Sequence, residues 1–252
     1  MRFSACIEWL FAEESPDFAG RIALAKRAGL DAVEFWRHSN KDLQAVRAAL
    51  DKAHMPLAGI VCDPIVPLTD RTAHLQFLAA LEGSIAAARM LGAPMMIAQA
   101  GNVVPGLSRE VQHDAIVAAL REAALRLKGT GVVLALEPLN DLVDHKGYYL
   151  TSTLEGLDII DEVGAPEIRL LYDIYHAAVM GEPVELLAGR VDRIAHVHLA
   201  DHPGRGAPGT GSVDLIARLR WLEAEGYSGL VGLEYRPNGP TKPTLGFREA
   251  LK

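Results

Sequence analysis

Eight short apolar runs alternate with helix-length stretches along this chain, and that alternation narrows its fold more than any other feature. The runs are Phe3–Ile7, Asp31–Trp36, Met55–Cys62, Pro94–Gln99, Val132–Leu136, Ile168–Tyr172, Ile194–Leu199 and Leu230–Leu233. Between them, Asp17–Ala28, Lys41–Lys52, Asp70–Leu91, Ser108–Lys128, Thr151–Val163, His176–Leu187 and Val213–Glu225 carry helical spacing, and a short last helix is expected from about Thr244. Near-continuous apolar strands joined by helices indicate parallel pairing covered on both faces. Eight such units predict an α/β protein, a closed (β/α)8 barrel, as one domain over residues 1–252. An open doubly wound sheet is the alternative, but no G-x-G-x-x-G joins a strand to a helix, and Gly204, Gly206, Gly209 and Gly211 are spaced as a loop.

Half of the residues are hydrophobic and the formal net charge is −7, with no Lys/Arg run to follow a phosphate backbone. A nucleic-acid partner is therefore not expected. Cys6 and Cys62 are too few for a disulfide framework and read as reduced core residues. The N-terminus lacks a signal-peptide core, and no run reaches the roughly 20 apolar residues of a membrane span. A cytoplasmic protein acting on a small molecule is expected, with homo-oligomerisation left open.

Four of the apolar runs finish on ionisable side chains. The fifth stops at Glu137, the sixth at Asp173 with His176 just beyond, the seventh carries His196 and His198 with Asp201, His202 and Arg205 following, and the eighth stops at Glu234. In a parallel barrel all C-terminal strand ends share one rim, which collects Glu8, Glu34, Gln99, Glu137, Asp173, His198 and Glu234. Several carboxylates within a few ångströms raise one another's pKa unless a cation compensates. A divalent metal ion held by Glu137, Asp173, His198 and Glu234 resolves this. Oxygen ligands with one imidazole suit Mg²⁺ or Mn²⁺, with Co²⁺ and Zn²⁺ as alternatives. Strand caps, or pairs with Arg205 or Arg236, are the structural alternative for the glutamates. Trp9, Phe35 and Trp36 are candidates for the pocket wall, Phe35 also for the core.

The motifs Glu137-Pro-Leu-Asn140, Tyr172-Asp-Ile-Tyr-His176, His196-Val-His-Leu-Ala-Asp-His-Pro-Gly-Arg-Gly-Ala-Pro-Gly-Thr-Gly211 and Gly232-Leu-Glu-Tyr-Arg-Pro237 resemble those of the hydroxypyruvate isomerase family, which belongs to the xylose isomerase-like TIM barrels. The resemblance runs from Phe3 to about Phe247. It implies metal ligation by Glu137, Asp173, His198 and Glu234, an acid/base pair in the two glutamates, and substrate contacts from His176 and Arg205, to which Trp9 and Asn140 are added. The implied reaction converts hydroxypyruvate to 2-hydroxy-3-oxopropanoate through an enediolate. A sugar 3-epimerase, a 2-oxo-tetronate isomerase or a related isomerase or dehydratase would use the same ligands, and a non-catalytic binding barrel is a further alternative.

Overall fold

The computed structural model describes residues 1–251. Among these, eight parallel strands form one sheet: β1 (Arg2–Cys6), β2 (Ala32–Glu34), β3 (Ile60–Val61), β4 (Met95–Gln99), β5 (Val133–Glu137), β6 (Ile168–Asp173), β7 (Ile194–Leu199) and β8 (Leu230–Leu233). Their order is β2-β1-β8-β7-β6-β5-β4-β3. The ends meet through scattered hydrogen bonds, Ala58 N–H to Val33 O at 2.7 Å and Val61 N–H to Trp36 O at 2.9 Å. The barrel therefore closes at an irregular seam. The strands expected over Asp31–Trp36 and Met55–Cys62 are shorter than their apolar runs; in the second, Pro56 has no N–H to donate to a ladder. At Gly59 the backbone also passes so close to Met95 that a Cβ would lie 2.6 Å from its Cε.

Helices surround the sheet: α1 (Phe18–Arg27), α2 (Leu43–Ala53), α3 (His74–Leu91), α4 (Arg109–Leu127), α5 (Thr153–Val163), α6 (Ile174–Val179), α7 (Leu215–Ala224) and the short α8 (Thr241–Thr244). Side chains of Asp17, Asp42, Ser108, Ser152 and Asp214 accept backbone N–H groups at their starts, satisfying donors that have no partner within the helix. The helix expected over His176–Leu187 begins earlier and is interrupted. Gly181, at φ +73°, and Pro183 end it, and a 3-10 turn at Val184–Leu187 follows. The segment expected as one helix from Asp70 opens with a 3-10 turn at Arg71–Ala73. No helix of the described residues is long and apolar enough to cross a membrane.

Alternation along the strands separates two environments. Leu134, Leu136, Leu170, Tyr172, Val197, Leu199, Val231 and Leu233 join helix residues such as Ile116, Leu120, Leu157 and Leu219 in the main core. Val61, Met95, Ile97, Ala135 and Leu171 form a separate apolar cluster, while Ser4, Glu34, His196 and His198 are buried together as a polar one. One irregularity matters for the rim. Between β6 and β7, Leu170 faces Ile194 but Leu171 faces His196, so Ala195 is an extra residue. Asp173 consequently stands opposite His198; without the bulge it would face Val197, which belongs to the outer core.

Gly232 is where β8 makes room for the polar cluster. A Cβ there would overlap the Glu34 carboxylate and lie 2.6 Å from His196 Nε2. Gly232→Ala should destabilise the protein by about 1–3 kcal/mol, as overpacking does, read as a lowered denaturant midpoint at unchanged slope. A loss within about 0.5 kcal/mol would contradict tight packing of this layer.

Candidate active site

Glu137 and Asp173 are the last residues of β5 and β6, His198 is the penultimate residue of β7, and Glu234 directly follows β8. All four are buried, and one ligand atom from each lies within 4.8 Å of the others. His198 Nδ1 is 3.3 Å from Glu137 Oε1 and 3.4 Å from Glu234 Oε2. The structure thus brings together the four residues that the strand ends single out.

Below them, Glu34 orients the imidazole. Its Oε1 lies 3.0 Å from His198 Nε2, and its Oε2 accepts from Ser4 Oγ and contacts His196 Nε2, each at 2.8 Å. Burial raises the Glu34 carboxyl, but the two imidazoles outweigh it and hold the group well below the usual carboxylate range. With Nε2 turned to Glu34, Nδ1 is the nitrogen presented to the rim, the arrangement typical of a metal-binding histidine backed by a carboxylate.

The cluster is short of positive charge. Burial pushes the Glu137 carboxyl up to about 7; His198 opposes this, and Glu234 and Asp173 add to it. Burial lowers the His198 imidazole, yet Glu234 and Glu34 outweigh it and hold the group well above its ordinary value. Three carboxylates and one imidazole nitrogen fit a divalent ion.

The remaining walls are fixed by hydrogen bonds. Glu234 Oε1 accepts from Trp36 Nε1 at 2.6 Å, and its Oε2 from Arg205 Nη2 at 2.5 Å. Arg205 also lies 3.7 Å from Asp173 Oδ2. It sits at φ +52° in a loop wrapped around buried Asp201, whose carboxylate accepts from the backbone of Gly209, Gly211 and Val213. Asp173 doubles as the cap of α6, its Oδ1 accepting from Tyr175 N and His176 N. His176 Nδ1 accepts the backbone N–H of Asn140 at 3.1 Å, so in the neutral ring the proton resides on Nε2. Burial pushes the His176 pKa down to about 4; Asp173 opposes the shift and Arg205 reinforces it. The ring is therefore a neutral donor, its Nε2 3.6 Å from Asp173 Oδ2.

A pocket of about 350 Å³ opens over the cluster, lined by Trp9, Trp36, Gln99, Glu137, His176, Arg205, Glu234 and Arg236 among others. Several rim residues take other places. Glu8 bonds Lys41 Nζ at 2.7 Å, Glu34 lies beneath the ligand set, and Phe35 packs edge-on against Phe18 in the core. Asn140 is fully buried behind His176, its amide bonded to Asp144 and directed at His176 Nδ1. His202 faces a different pocket beside Arg218 and Trp221. Sequence reasoning put Glu34 on the rim and Trp36 in the pocket wall but missed what they hold: Glu34 faces His198 and the Trp36 indole N–H donates to Glu234. The period-two spacing of Glu34 and Trp36 in the apolar run Asp31–Trp36 is the signal that both point inward.

Residues 22–252 match the xylose isomerase-like TIM barrel family. Hydroxypyruvate isomerase of Escherichia coli (strain K12) is 33% identical, with both chains covered over 100% of their length. The chain belongs to the hydroxypyruvate isomerase family of xylose isomerase-like TIM barrels. It is an isomerase of the aldose–ketose type. The 2-oxo-tetronate isomerase of Cupriavidus necator is 28% identical over 98% of this chain and 96% of that protein. Among solved structures, a family 2 AP endonuclease from Brucella melitensis superposes with a TM-score of 0.91 at 26% identity, covering 98% of each chain.

Because Glu137 is held up to about 7 in the metal-free fold against an ordinary 4.5, its protonated form stabilises the fold below pH 4.5. That contribution is lost as pH rises through about 7. Glu137→Gln removes it, so the melting temperature of the metal-free variant minus that of wild type should grow between pH 5 and pH 8, by on the order of a few degrees. A difference that stays constant or shrinks would contradict the crowding of carboxylates described here.

Proposed function

We propose that this isomerase interconverts hydroxypyruvate and 2-hydroxy-3-oxopropanoate through an enediolate. The observation that carries the reading is the meeting of Glu137, Asp173, His198 and Glu234 within 4.8 Å of one another, beneath a pocket that also receives His176 and Arg205. A divalent ion held by these four residues, Mg²⁺ or Mn²⁺ on the donor set, would supply Lewis-acid stabilisation to the adjacent carbonyl and hydroxyl oxygens of the substrate.

The chain's own groups account for the proton movements. The reaction takes a proton from C3 of hydroxypyruvate, spreads the electron pair over C2, C3 and their oxygens, and returns a proton to C2, while the hydroxyl proton leaves the C3 oxygen and one is gained by the C2 oxygen. Glu234 accepts a side-chain hydrogen bond on each oxygen, from Trp36 and Arg205, whereas the Glu137 carboxylate has His198 Nδ1 at 3.3 Å as its nearest cationic partner. Glu137 is therefore assigned as the base for the C3 proton, with Glu234 completing the acid/base pair. The neutral His176 Nε2–H donates to the oxyanion as charge develops, a task for which a preset donor in a water-poor pocket is suited. Trp9 and Trp36, packed edge to face at 5.0 Å, keep water from the enediolate.

A second reading, isomerisation of a four-carbon 2-oxo-tetronate, is favoured by the Cupriavidus necator relative and uses the same groups with one more hydroxymethine. Phosphodiester chemistry is disfavoured by the net charge of −7, which repels a polyanion.

Proton NMR in D₂O with Mn²⁺ or Mg²⁺ replenished should show deuterium entering C3 of hydroxypyruvate and C2 of the product. Glu137→Gln and Glu234→Gln should each lower turnover by about 10²–10⁴-fold, the usual contribution of a general acid or base, and Glu137→Gln should also abolish exchange at C3. Near-normal turnover in either variant at saturating metal would remove the two-glutamate assignment. Absence of hydroxypyruvate turnover in wild type beside rapid 2-oxo-tetronate turnover would establish the second reading.

A further inference from the structure

We propose that Arg236, not the deeper Arg205, is the residue that selects substrates bearing a carboxylate next to the reacting carbons. This inference rests on the keto-acid isomerase reading above. Hydroxypyruvate and its isomer each bring a negative charge toward Glu137, Asp173 and Glu234, so a cation not already spent on those carboxylates has to meet it.

Arg205 is already spent. Its side chain is 13% exposed and faces Glu234 and Asp173 at 2.5 and 3.7 Å, where it offsets charges belonging to the protein. Arg236 is in the opposite situation. It lines the same pocket, is exposed at its mouth, and has no ion pair or side-chain hydrogen bond among the described residues; its guanidinium rests 5.0 Å from the Trp9 ring.

Position and orientation both follow from the chain. Beyond β8, Glu234 points into the barrel, Tyr235 is buried with its hydroxyl on Thr244, and Arg236 turns back toward the pocket, as period-two alternation requires. Its backbone N–H donates to Arg205 O at 2.9 Å, and Gly206 pairs with it in parallel register, so its Cα is anchored to the loop that carries Arg205. Two residues of extended chain span about 7 Å, a separation that an arginine side chain bridges toward the metal cluster. In a 2-oxo acid the carboxylate is bonded directly to a reacting carbon, so a cation this close suits short acids. Trp9 holds the Arg236 guanidinium on one side and that of Arg205 at 5.2 Å. Stacking of this kind keeps the planar fork ready for two-point contact with a carboxylate. The other arginine of the mouth, Arg37, is 60% exposed and leans toward Asp63 at 4.0 Å, which makes it the natural comparison.

Hydroxypyruvate and hydroxyacetone form a matched pair for the test, since the second replaces the carboxylate by a methyl group. In full-length enzyme with Mn²⁺, the KM for hydroxypyruvate and the inhibition constant of hydroxyacetone against it are measured for wild type, Arg236→Gln, Arg236→Lys and Arg37→Gln. Tryptophan fluorescence titrations with pyruvate give binding of a 2-oxo acid that cannot be isomerised in this way. For Arg236→Gln the preference for hydroxypyruvate over hydroxyacetone should fall by about 10–100-fold and pyruvate binding should weaken in parallel. Arg236→Lys, which keeps the charge and loses the fork, should fall between that variant and wild type. Arg37→Gln should change the preference less than threefold. An unchanged preference in Arg236→Gln, or the larger change in Arg37→Gln, overturns the assignment while leaving the isomerase reading intact. A wild-type enzyme that turns over neutral ketoses and no 2-oxo acid overturns both.

Discussion

Carboxylates buried side by side repel one another, and the rim of this barrel is arranged around that repulsion. Glu137, Asp173 and Glu234 arrive there because parallel strands place every C-terminal end on the same side. What keeps them together is positive charge and donated hydrogen. Arg205 faces two of them, His198 faces Glu137 and Glu234, and the amides at the start of α6 hold one oxygen of Asp173. The compensation is incomplete: burial, with Glu234 and Asp173 adding to it, pushes the Glu137 carboxyl up despite His198. The same deficit is what a divalent cation held by these groups would offset.

Support for this arrangement is drawn from across the barrel. Glu34 comes from β2 and reaches His196 and His198 on β7, 162 residues away from the first of them. The glycine at position 232 on β8 leaves the space for that contact, and the bulge at Ala195 brings His198 level with Asp173. A change at any of these positions alters how the four strand-end groups meet without replacing one of them. The Asp201 carboxylate plays a comparable part for the loop holding Arg205, satisfying backbone donors that a glycine-rich turn would otherwise leave buried and unpaired.

The barrel and the convergence of four strand-end groups were readable from the chain because both depend on local pattern. Each strand is an apolar run, and Glu137, Asp173, His198 and Glu234 stand at or beside the end of one, so their meeting is expected without knowledge of any contact. Other features depend on pairing and were hidden. The shortening of β3 follows from Pro56 and from the approach of Gly59 to Met95, which only the closed barrel creates. Glu34 reads as one more rim carboxylate until its partners on β7 are seen. Asn140 occurs in a motif beside Glu137 and reads as a substrate contact, yet its amide is used to hold Asp144 and to set the tautomer of His176. Arg236 is likewise indistinguishable in sequence from a solvated arginine. Its meaning comes from Trp9 beneath it and from the carboxylates that already occupy Arg205.

The central claim is that four strand-end groups form one cation centre around which the isomerase chemistry is organised. Anomalous diffraction from crystals of the protein equilibrated with Mn²⁺ tests it most directly. The account predicts one fully occupied peak among Glu137, Asp173, His198 Nδ1 and Glu234, at about 2.0–2.6 Å from an atom of each. Manganese bound elsewhere, with no density at the centre of the four groups, would contradict it.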